Sequence, residues 1–134
     1  MAAKNKTKTK LAANIVWFEI PADDLARAKK FYSALFGWKI QPFPNSPVAG
    51  YEHIDTGGPD ASPDGGLMKR MHSEQQITNY INVPSVTKFA AKIEKLGGSI
   101  CKPKCAVPGM GYFAICADTE NNTFAIWETN PKAK

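Results

Sequence analysis

The sequence has few of the residues that build metal, disulfide or nucleophilic sites. It contains three cysteines and two histidines. Cys101, Cys105 and Cys116 make an odd number and lack the second Cys or His pair of a structural zinc site. No Ser–His–Asp, Cys–His or phosphate-loop pattern is present. We therefore expect ordinary reduced cysteines, and the sequence excludes the commonest nucleophilic and nucleotide-binding motifs.

Long hydrophobic runs are also missing. No stretch resembles a membrane span, and the lysine-rich N-terminus lacks the apolar run of a secretory signal. We therefore expect a cytoplasmic protein that binds no membrane. Since no arginine-rich face interleaved with aromatic residues is present, we also expect no nucleic-acid binding, and contact of the basic N-terminus with nucleic acid or an anionic surface is the alternative. Six lysines near the two ends supply more than the whole net charge of +5, namely Lys4, Lys6, Lys8, Lys10, Lys132 and Lys134. We expect residues 1–12 to be a disordered basic tail and residues 130–134 to be a second tail.

The segment from Ile15 to Ile40 predicts a strand, a helix and a second strand. Val16, Phe18 and Ile20 alternate with Trp17 and Glu19, the period of a strand that is covered on one face. An apolar stripe at helical spacing follows, made of Leu25, Ala28, Phe31, Tyr32, Leu35 and Phe36. Asp23 or Asp24 is suited to begin the helix and Gly37 to end it. We expect the stripe to pack on the strand.

The same plan returns about 60 residues later. Residues 79–83 are strand-like, residues 86–96 are helix-like, and Gly97-Gly98 ends the helix. The element order is βαβββ twice, which predicts an α+β fold with helices on one side of curved, mostly antiparallel sheets. We expect one domain over residues 13–129, built from modules at about 13–72 and 76–129.

Several motifs resemble the glyoxalase / bleomycin-resistance / extradiol-dioxygenase superfamily, also called the vicinal oxygen chelate superfamily. They are Ile20–Leu25 (IPADDL), Phe31-Tyr32, Phe36–Trp38 (FGW), Lys95–Gly98 (KLGG) and Asp118–Phe124 (DTENNTF). The resemblance covers about residues 14–129. It implies two βαβββ modules whose sheets curl around a cavity, lined by the strand faces that point away from the helices.

The resemblance also implies where metal-using members carry their ligands, one in each of strands 1, 4, 5 and 8. The matching positions here are Trp17, residues 66–68, Thr78 and Ala125, which offer at most a hydroxyl. We therefore expect no metal and no other cofactor, and neither glyoxalase nor ring-cleaving activity. A metal site made of His53, Asp55 and Glu19 is the alternative.

Alternation and the resemblance together nominate the residues of the cavity. We expect ligand contacts from Trp17, Glu19, Thr78, Tyr80, Met110, Tyr112 and Trp127. The aromatic members suit a planar or cationic small molecule. Glu19 and His53 are the candidates for a general acid or base. The structural alternatives are a Glu19 paired with Lys39, Lys69 or Arg70, a merely hydrogen-bonded His53, and a Trp127 that fills the sheet.

Three functions are compatible with these residues. The first is a metal-independent small-molecule binding protein with an unidentified ligand. The second is a metal-free lyase or isomerase that uses Glu19 or His53 as its acid or base. The third is a partner-binding module with no working pocket. The resemblance also implies a homodimer, because members of the superfamily often complete their cavities across a two-fold interface.

Overall fold

The computed structural model describes residues 13–44, 46–60 and 62–134. The predicted tail over residues 1–12 lies outside them. The described chain divides into two compact units. We call residues 16–79 the N-terminal module, and residues 80–134 with residues 13–15 the C-terminal module.

The N-terminal module contains one helix and four strands. These are β1 (Ile15–Ala22), α1 (Leu25–Phe36), β2 (Lys39–Pro42), β3 (Glu52–Asp55) and β4 (Asp64–Lys69). The strand order is β2-β3-β4-β1. Strands β1 and β4 are parallel, whereas β2–β3 and β3–β4 are antiparallel.

The C-terminal module repeats this arrangement. Its elements are β5 (Thr78–Asn82), α2 (Val86–Lys95), β6 (Ser99–Val107), β7 (Gly111–Ala117) and β8 (Thr123–Thr129). The order is β5-β8-β7-β6, with β5 parallel to β8 and the other two pairs antiparallel. In both modules the first strand lies beside the fourth, and this confirms the α+β fold with two βαβββ modules.

Helix α1 begins and ends as its sequence predicts but buries less than expected. The Asp24 carboxylate accepts the Arg27 N–H at 2.9 Å, and Gly37 ends the helix with a φ of 73°. Leu25, Ala28 and Tyr32 pack against a core of Ile20, Ala22, Ile40, Ile54 and Leu67. The predicted packing of the stripe is confirmed for these three residues and does not extend to its other three members. Phe31, Leu35 and Phe36 are 58%, 58% and 56% exposed.

A second core fills the C-terminal module between α2 and its sheet. It consists of Val83, Val86, Ala114, Cys116 and Ile126. The Ser85 hydroxyl accepts the Lys88 N–H at 3.1 Å, and the Glu128 carboxylate accepts the Val86 N–H at 2.9 Å. Two otherwise unbonded donors at the start of α2 are thereby satisfied. Burial raises the pKa of the Cys116 thiol to about 11, which keeps it protonated.

The margin of the C-terminal module is formed by β6 and by the end of the chain. Strand β6 has nine residues, pairs with β7, and shifts register on either side of Lys102. The Asn130 N–H donates to the Met110 carbonyl and the Gly109 N–H to the Ala133 carbonyl, both at 2.8 Å. Ala133 is buried. The segment 130–134 is therefore bound to the β6–β7 turn.

In the part of the chain that the structure describes, neither helix has the length and apolar character needed to cross a membrane.

The turn between β7 and β8 contains a backbone conformation that few side chains tolerate. Asn121 has a φ of 66°, and the Asp118 carboxylate accepts the N–H groups of Glu120 and Asn122 at 2.8 Å. We predict that Asn121→Ala lowers the free energy of unfolding by about 1 kcal/mol, since alanine disfavours left-handed backbone. Asn121→Gly should keep or raise stability. Denaturant unfolding of both variants is the measurement, and equal losses would contradict the argument.

Candidate functional site

The face of the N-terminal sheet opposite α1 carries two of the residues nominated from the sequence, Trp17 and Glu19. Phe18 and Ile20 point to the core under α1, so Trp17 and Glu19 point the other way. Glu19 lies beside Gly66 in the β1–β4 register, and Gly66 lies beside His53 in the β4–β3 register. We call this surface the site face.

Tyr51, which immediately precedes β3, lies over Gly66. A β carbon built on Gly66 would lie 1.9 Å from the Tyr51 hydroxyl oxygen. No residue with a side chain at position 66 could therefore coexist with this position of the phenol. Gly66 provides the space that Tyr51 occupies on the site face.

A directional chain of hydrogen bonds links Trp17, Tyr51 and Glu19. The indole Nε1–H of Trp17 donates to the Tyr51 hydroxyl at 3.0 Å. The Tyr51 hydroxyl donates to Glu19 Oε2 at 2.7 Å. Since an indole can only donate, the phenol oxygen accepts from Trp17 and has its own hydrogen available for Glu19.

Four rings pack together around this chain. The Phe43 ring centroid lies 5.9 Å from that of Trp17, 5.8 Å from that of Tyr51 and 5.7 Å from that of His53. Trp17 and His53 lie 5.6 Å apart. The Phe43 N–H donates to the Tyr51 carbonyl at 3.0 Å, which pairs the two residues just beyond the ends of β2 and β3. All four side chains are half-buried, so part of their surface reaches solvent.

His53 is held by a carboxylate. Its Nε2 lies 3.0 Å from Asp64 Oδ2, while Asp64 Oδ1 accepts from the Thr56 N–H and the Thr56 hydroxyl at 3.1 and 3.2 Å. Burial alone would raise the pKa of Asp64. The hydrogen bonds from Thr56 and His53 outweigh burial and hold the pKa of Asp64 below its ordinary value. The Asp64 carboxylate is therefore charged at neutral pH and fixes the imidazole.

Two of the three cations that the sequence suggested as partners of Glu19 are bonded elsewhere. Lys69 Nζ donates to the Asp23 carbonyl and Arg70 Nε to the Asp23 carboxylate, both at 2.9 Å. Tyr51 instead donates to Glu19, and sequence reasoning had not nominated Tyr51. The available signals were its shared alternation with His53 and the Gly65-Gly66 pair in β4.

The remaining nominated residues lie mostly in the C-terminal module. The Tyr80 and Phe113 ring centroids are 6.0 Å apart. Trp127 donates from Nε1 to the Thr129 hydroxyl at 3.0 Å. Thr78 is buried at the start of β5, and Met110 is exposed in the β6–β7 turn.

Tyr112 lies on the other side of its sheet. Its ring packs against the core beneath α2, with Lys104 Nζ 4.3 Å from the ring centroid. It shares the alternation phase of Ala114 and Cys116, which are buried in that core. The structure therefore separates Tyr112 from Trp127, with which it had been grouped.

The donors needed for a divalent ion are missing at the positions that the resemblance implied. The Trp17 N–H is used as a donor, Gly66 has no side chain, and the buried Ala125 offers no ligand atom. Across residues 13–44, 46–60 and 62–134 no three His, Cys, Asp or Glu side chains are grouped to hold a metal ion. Asp55, proposed with His53 and Glu19, accepts the Gly57 N–H at 2.9 Å. The described residues therefore do not fit the metal of the superfamily.

A separate depression of about 420 Å³ opens between α1 and the segment after β4, lined in part by Ile20, Tyr32, Arg70 and Ile77. The Arg70 guanidinium in it donates to Asp23 and to the carbonyls of Gln75 and Pro21. Because its charged group serves the fold in this way, we assign this depression a structural role.

The bonds to Asp64 predict a pH dependence of stability. Folding lowers the pKa of Asp64, so the ionised carboxylate stabilises the folded state at pH values above its ordinary pKa of 3.8. This stabilisation is lost as the pH falls through the pKa that Asp64 has in the folded protein. The wild-type protein should therefore have a larger free energy of unfolding than Asp64→Asn near neutral pH. The difference between the two free energies should become smaller as the pH is lowered. Denaturant unfolding from about pH 7 to about pH 2 measures this. A gap that stays constant over that range would exclude the linkage.

The packing of Tyr51 on Gly66 predicts a coupled pair of substitutions. Gly66→Ala should cost about 1–3 kcal/mol of stability, because the new methyl group displaces the phenol. In a Tyr51→Ala background the same change should cost much less, since the space is then empty. A double-mutant cycle by denaturant unfolding gives the coupling energy. Additive costs would mean that Gly66 is needed for another reason.

Comparisons with known proteins agree with the fold. Residues 14–52 match the family described as Bleomycin resistance protein-like N-terminal. A glyoxylase-like domain-containing protein of Didymella fabae is 34% identical over 120 residues, covering 87% of this chain and 94% of the relative. The anthracycline biosynthesis protein DauV of a Streptomyces strain is 24% identical over 124 residues, covering 83% of this chain and 45% of DauV. The chain thus spans just under half the length of that curated relative.

Among solved structures, a methylmalonyl-CoA epimerase of Streptomyces coelicolor superposes with a TM-score of 0.63 at 12% identity, covering 92% of this chain and 99% of the epimerase. At that identity the likeness shows the fold alone. The identity to the Didymella protein over nearly the full length of both chains shows the family. The chain belongs to the glyoxalase / bleomycin-resistance / extradiol-dioxygenase superfamily.

Proposed function

We propose that this chain is a metal-independent binding protein for a flat small molecule, and that the site face forms part of its binding site. The observation that carries the proposal is the cluster of Trp17, Phe43, Tyr51 and His53 rings. Ligand sites are typically lined by aromatic side chains with a few placed polar groups. The Glu19 carboxylate and the His53–Asp64 pair are the polar groups here.

The residues at the metal-ligand positions favour binding over the metal-dependent chemistry of glyoxalases. Divalent ions need several nitrogen or oxygen donors held together. At the β1 position the chain carries an indole, and at Gly66 the space is occupied by a phenol that is bonded to that indole. Lewis-acid catalysis by a bound ion is therefore not part of the proposal.

The names of two relatives suggest the ring system to test first. DauV and DnrV are named anthracycline biosynthesis proteins, and the anthracycline nucleus is a flat polycyclic quinone. A ring of that size can lie against an aromatic wall such as that of Trp17 and Phe43. A neutral dihydroxyanthraquinone is therefore a suitable probe of ligand shape.

A metal-free lyase or isomerase is the second candidate. The observation that favours it is the 3.0 Å contact between His53 Nε2 and Asp64, because a carboxylate that fixes an imidazole is a common arrangement for a general base. Conversion of a bound probe to a new product, lost in His53→Gln, would support this candidate. The expected homodimer and cytoplasmic location stay predictions.

The proposal predicts metal-independent binding that depends on Trp17. Dihydroxyanthraquinone should quench tryptophan fluorescence with the same Kd in chelator and in added zinc, nickel or manganese. Trp17→Phe should weaken binding by about tenfold, since the smaller ring makes fewer contacts and the indole N–H bond is lost. Trp38→Phe is the matched control, because Trp38 packs on Tyr32 and Phe36 at the α1 side.

Two results would contradict the proposal. One is binding that disappears on chelation and returns with one equivalent of metal. The other is equal weakening by Trp17→Phe and Trp38→Phe when both variants melt at the same temperature, because the binding site would then not involve the site face.

A further inference from the structure

We infer that the ligand of the site face carries an acidic hydroxyl on a flat ring, as a phenol or an enol does, and that His53 Nδ1 accepts its hydrogen. This inference rests on the proposed binding function and adds the chemical class of the ligand. It makes Asp64 a positioning residue, because Asp64 acts on the ligand through His53.

The argument begins with the imidazole nitrogen that Asp64 holds. His53 Nε2 lies 3.0 Å from Asp64 Oδ2. Burial would raise the pKa of Asp64, but hydrogen bonds from Thr56 and His53 hold it below its ordinary value, so the carboxylate is ionised at neutral pH. An ionised carboxylate can only accept, and the hydrogen between the two residues therefore belongs to Nε2. In the neutral ring this leaves a lone pair on Nδ1.

The direction of that lone pair is fixed, because Asp64 is held on its other oxygen as well. Asp64 Oδ1 accepts the Thr56 N–H at 3.1 Å and the Thr56 hydroxyl at 3.2 Å. Thr56 directly follows β3, the strand that carries His53. The carboxylate and the imidazole are thus set in one orientation before a ligand arrives.

Nδ1 is available to a ligand. Within residues 13–44, 46–60 and 62–134, the bond to Asp64 is the only polar contact of His53, so Nδ1 has no hydrogen-bond partner there. The His53 side chain is 39% exposed, which lets a ligand reach it. A donor on the ligand would therefore gain a hydrogen bond at Nδ1 without displacing one within the protein.

The neighbouring rings determine how a flat ligand would meet this nitrogen. The ring centroids of Trp17 and Phe43 lie 5.6 and 5.7 Å from that of His53. The planes of Trp17 and His53 differ by 31°. A flat ligand stacked on Trp17 is therefore tilted by a similar angle from the imidazole plane, in which the Nδ1 lone pair lies. A hydroxyl on the edge of the ligand lies in the ligand plane, so its hydrogen can point to that lone pair.

The pairing of His53 with Asp64 favours an acidic donor. A carboxylate that accepts from one imidazole nitrogen makes the other nitrogen a stronger acceptor. If the ligand proton moves to Nδ1, the ligand oxygen becomes negative and the imidazole positive, so the total charge is unchanged and the bond becomes charge-assisted. A ligand that arrives as a carboxylate lacks this hydrogen and is repelled by Asp64.

The test uses two probes that differ by one methyl group. They are a hydroxyanthraquinone whose hydroxyl is remote from the quinone oxygens, which would otherwise take its hydrogen, and the methyl ether of that compound. Affinities are measured by tryptophan fluorescence on the full chain, in one buffer in which the free probe keeps its proton. The wild-type protein should bind the hydroxyl probe about tenfold more tightly than the ether.

His53→Phe should remove this preference, because it keeps an aromatic ring and deletes both nitrogens. Affinity for the hydroxyl probe should fall about tenfold, to that of the ether, and affinity for the ether should stay within about twofold. Asp64→Asn should retain a smaller preference, since the charge that strengthens Nδ1 is lost. His72→Phe, at an exposed position after β4, is the control for the same substitution.

A second measurement follows the proton itself. A hydroxyanthraquinone absorbs at longer wavelength as its hydroxyl gives up the proton. The probe bound to the wild-type protein should therefore absorb at longer wavelength than the free probe. This shift should be smaller with Asp64→Asn and absent with His53→Phe. A merely structural role of Asp64 would change the affinities of both probes and leave the spectrum of the bound hydroxyl probe unaltered.

The outcomes separate the two proposals. If both probes bind equally, if His53→Phe keeps the preference, or if the bound hydroxyl probe shows no shift on the wild-type protein, the inference is wrong and the binding function stands. If neither probe binds, the proposed function fails and the inference fails with it. If His53→Phe does not fold, the spectra on the wild-type protein and on Asp64→Asn still decide, and equal shifts on both would overturn the inference.

Discussion

The hydrogen bond from the Trp17 indole to the Tyr51 hydroxyl determines how the site face is built. It joins residues separated by 34 positions in the sequence and holds the phenol over β4. The phenol in turn requires Gly66 to lack a side chain and brings its own proton to Glu19. Phe43 contacts both rings of this bond. One contact thus couples the packing, the polarity and the shape of this surface.

Much of the fold follows from local sequence. Strand alternation, Asp24 at the start of α1, Gly37 at its end and the polar turn near Asn121 are each set by neighbouring residues and backbone preferences. The second module could be recognised because it repeats the same order of elements. The strand face that carries Trp17 and Glu19 also followed from period-two alternation.

The side-chain contacts within the site could not be predicted from local sequence. Tyr51 lies outside the regular part of β3, and its role depends on a glycine in another strand. A partner of Glu19 was sought among lysines and arginines, but two of the suggested cations, Lys69 and Arg70, donate to Asp23 just beyond the end of β1. The exposure of apolar residues on α1 also could not be predicted from local sequence. Helical spacing gives the width of an apolar stripe, whereas the sheet beneath it decides how much is covered.

Strand β6 shows how the C-terminal module protects its margin. A long edge strand offers unpaired N–H and C=O groups to which another polypeptide can add. Here the register shifts on either side of Lys102, Pro103 lacks an N–H, and residues 101–104 are exposed, two of them lysines. A second strand that approached this edge would find an interrupted ladder and like charges at the point of contact. The module therefore carries a barrier to intermolecular β-sheet growth, and so to aggregation, at its longest exposed strand.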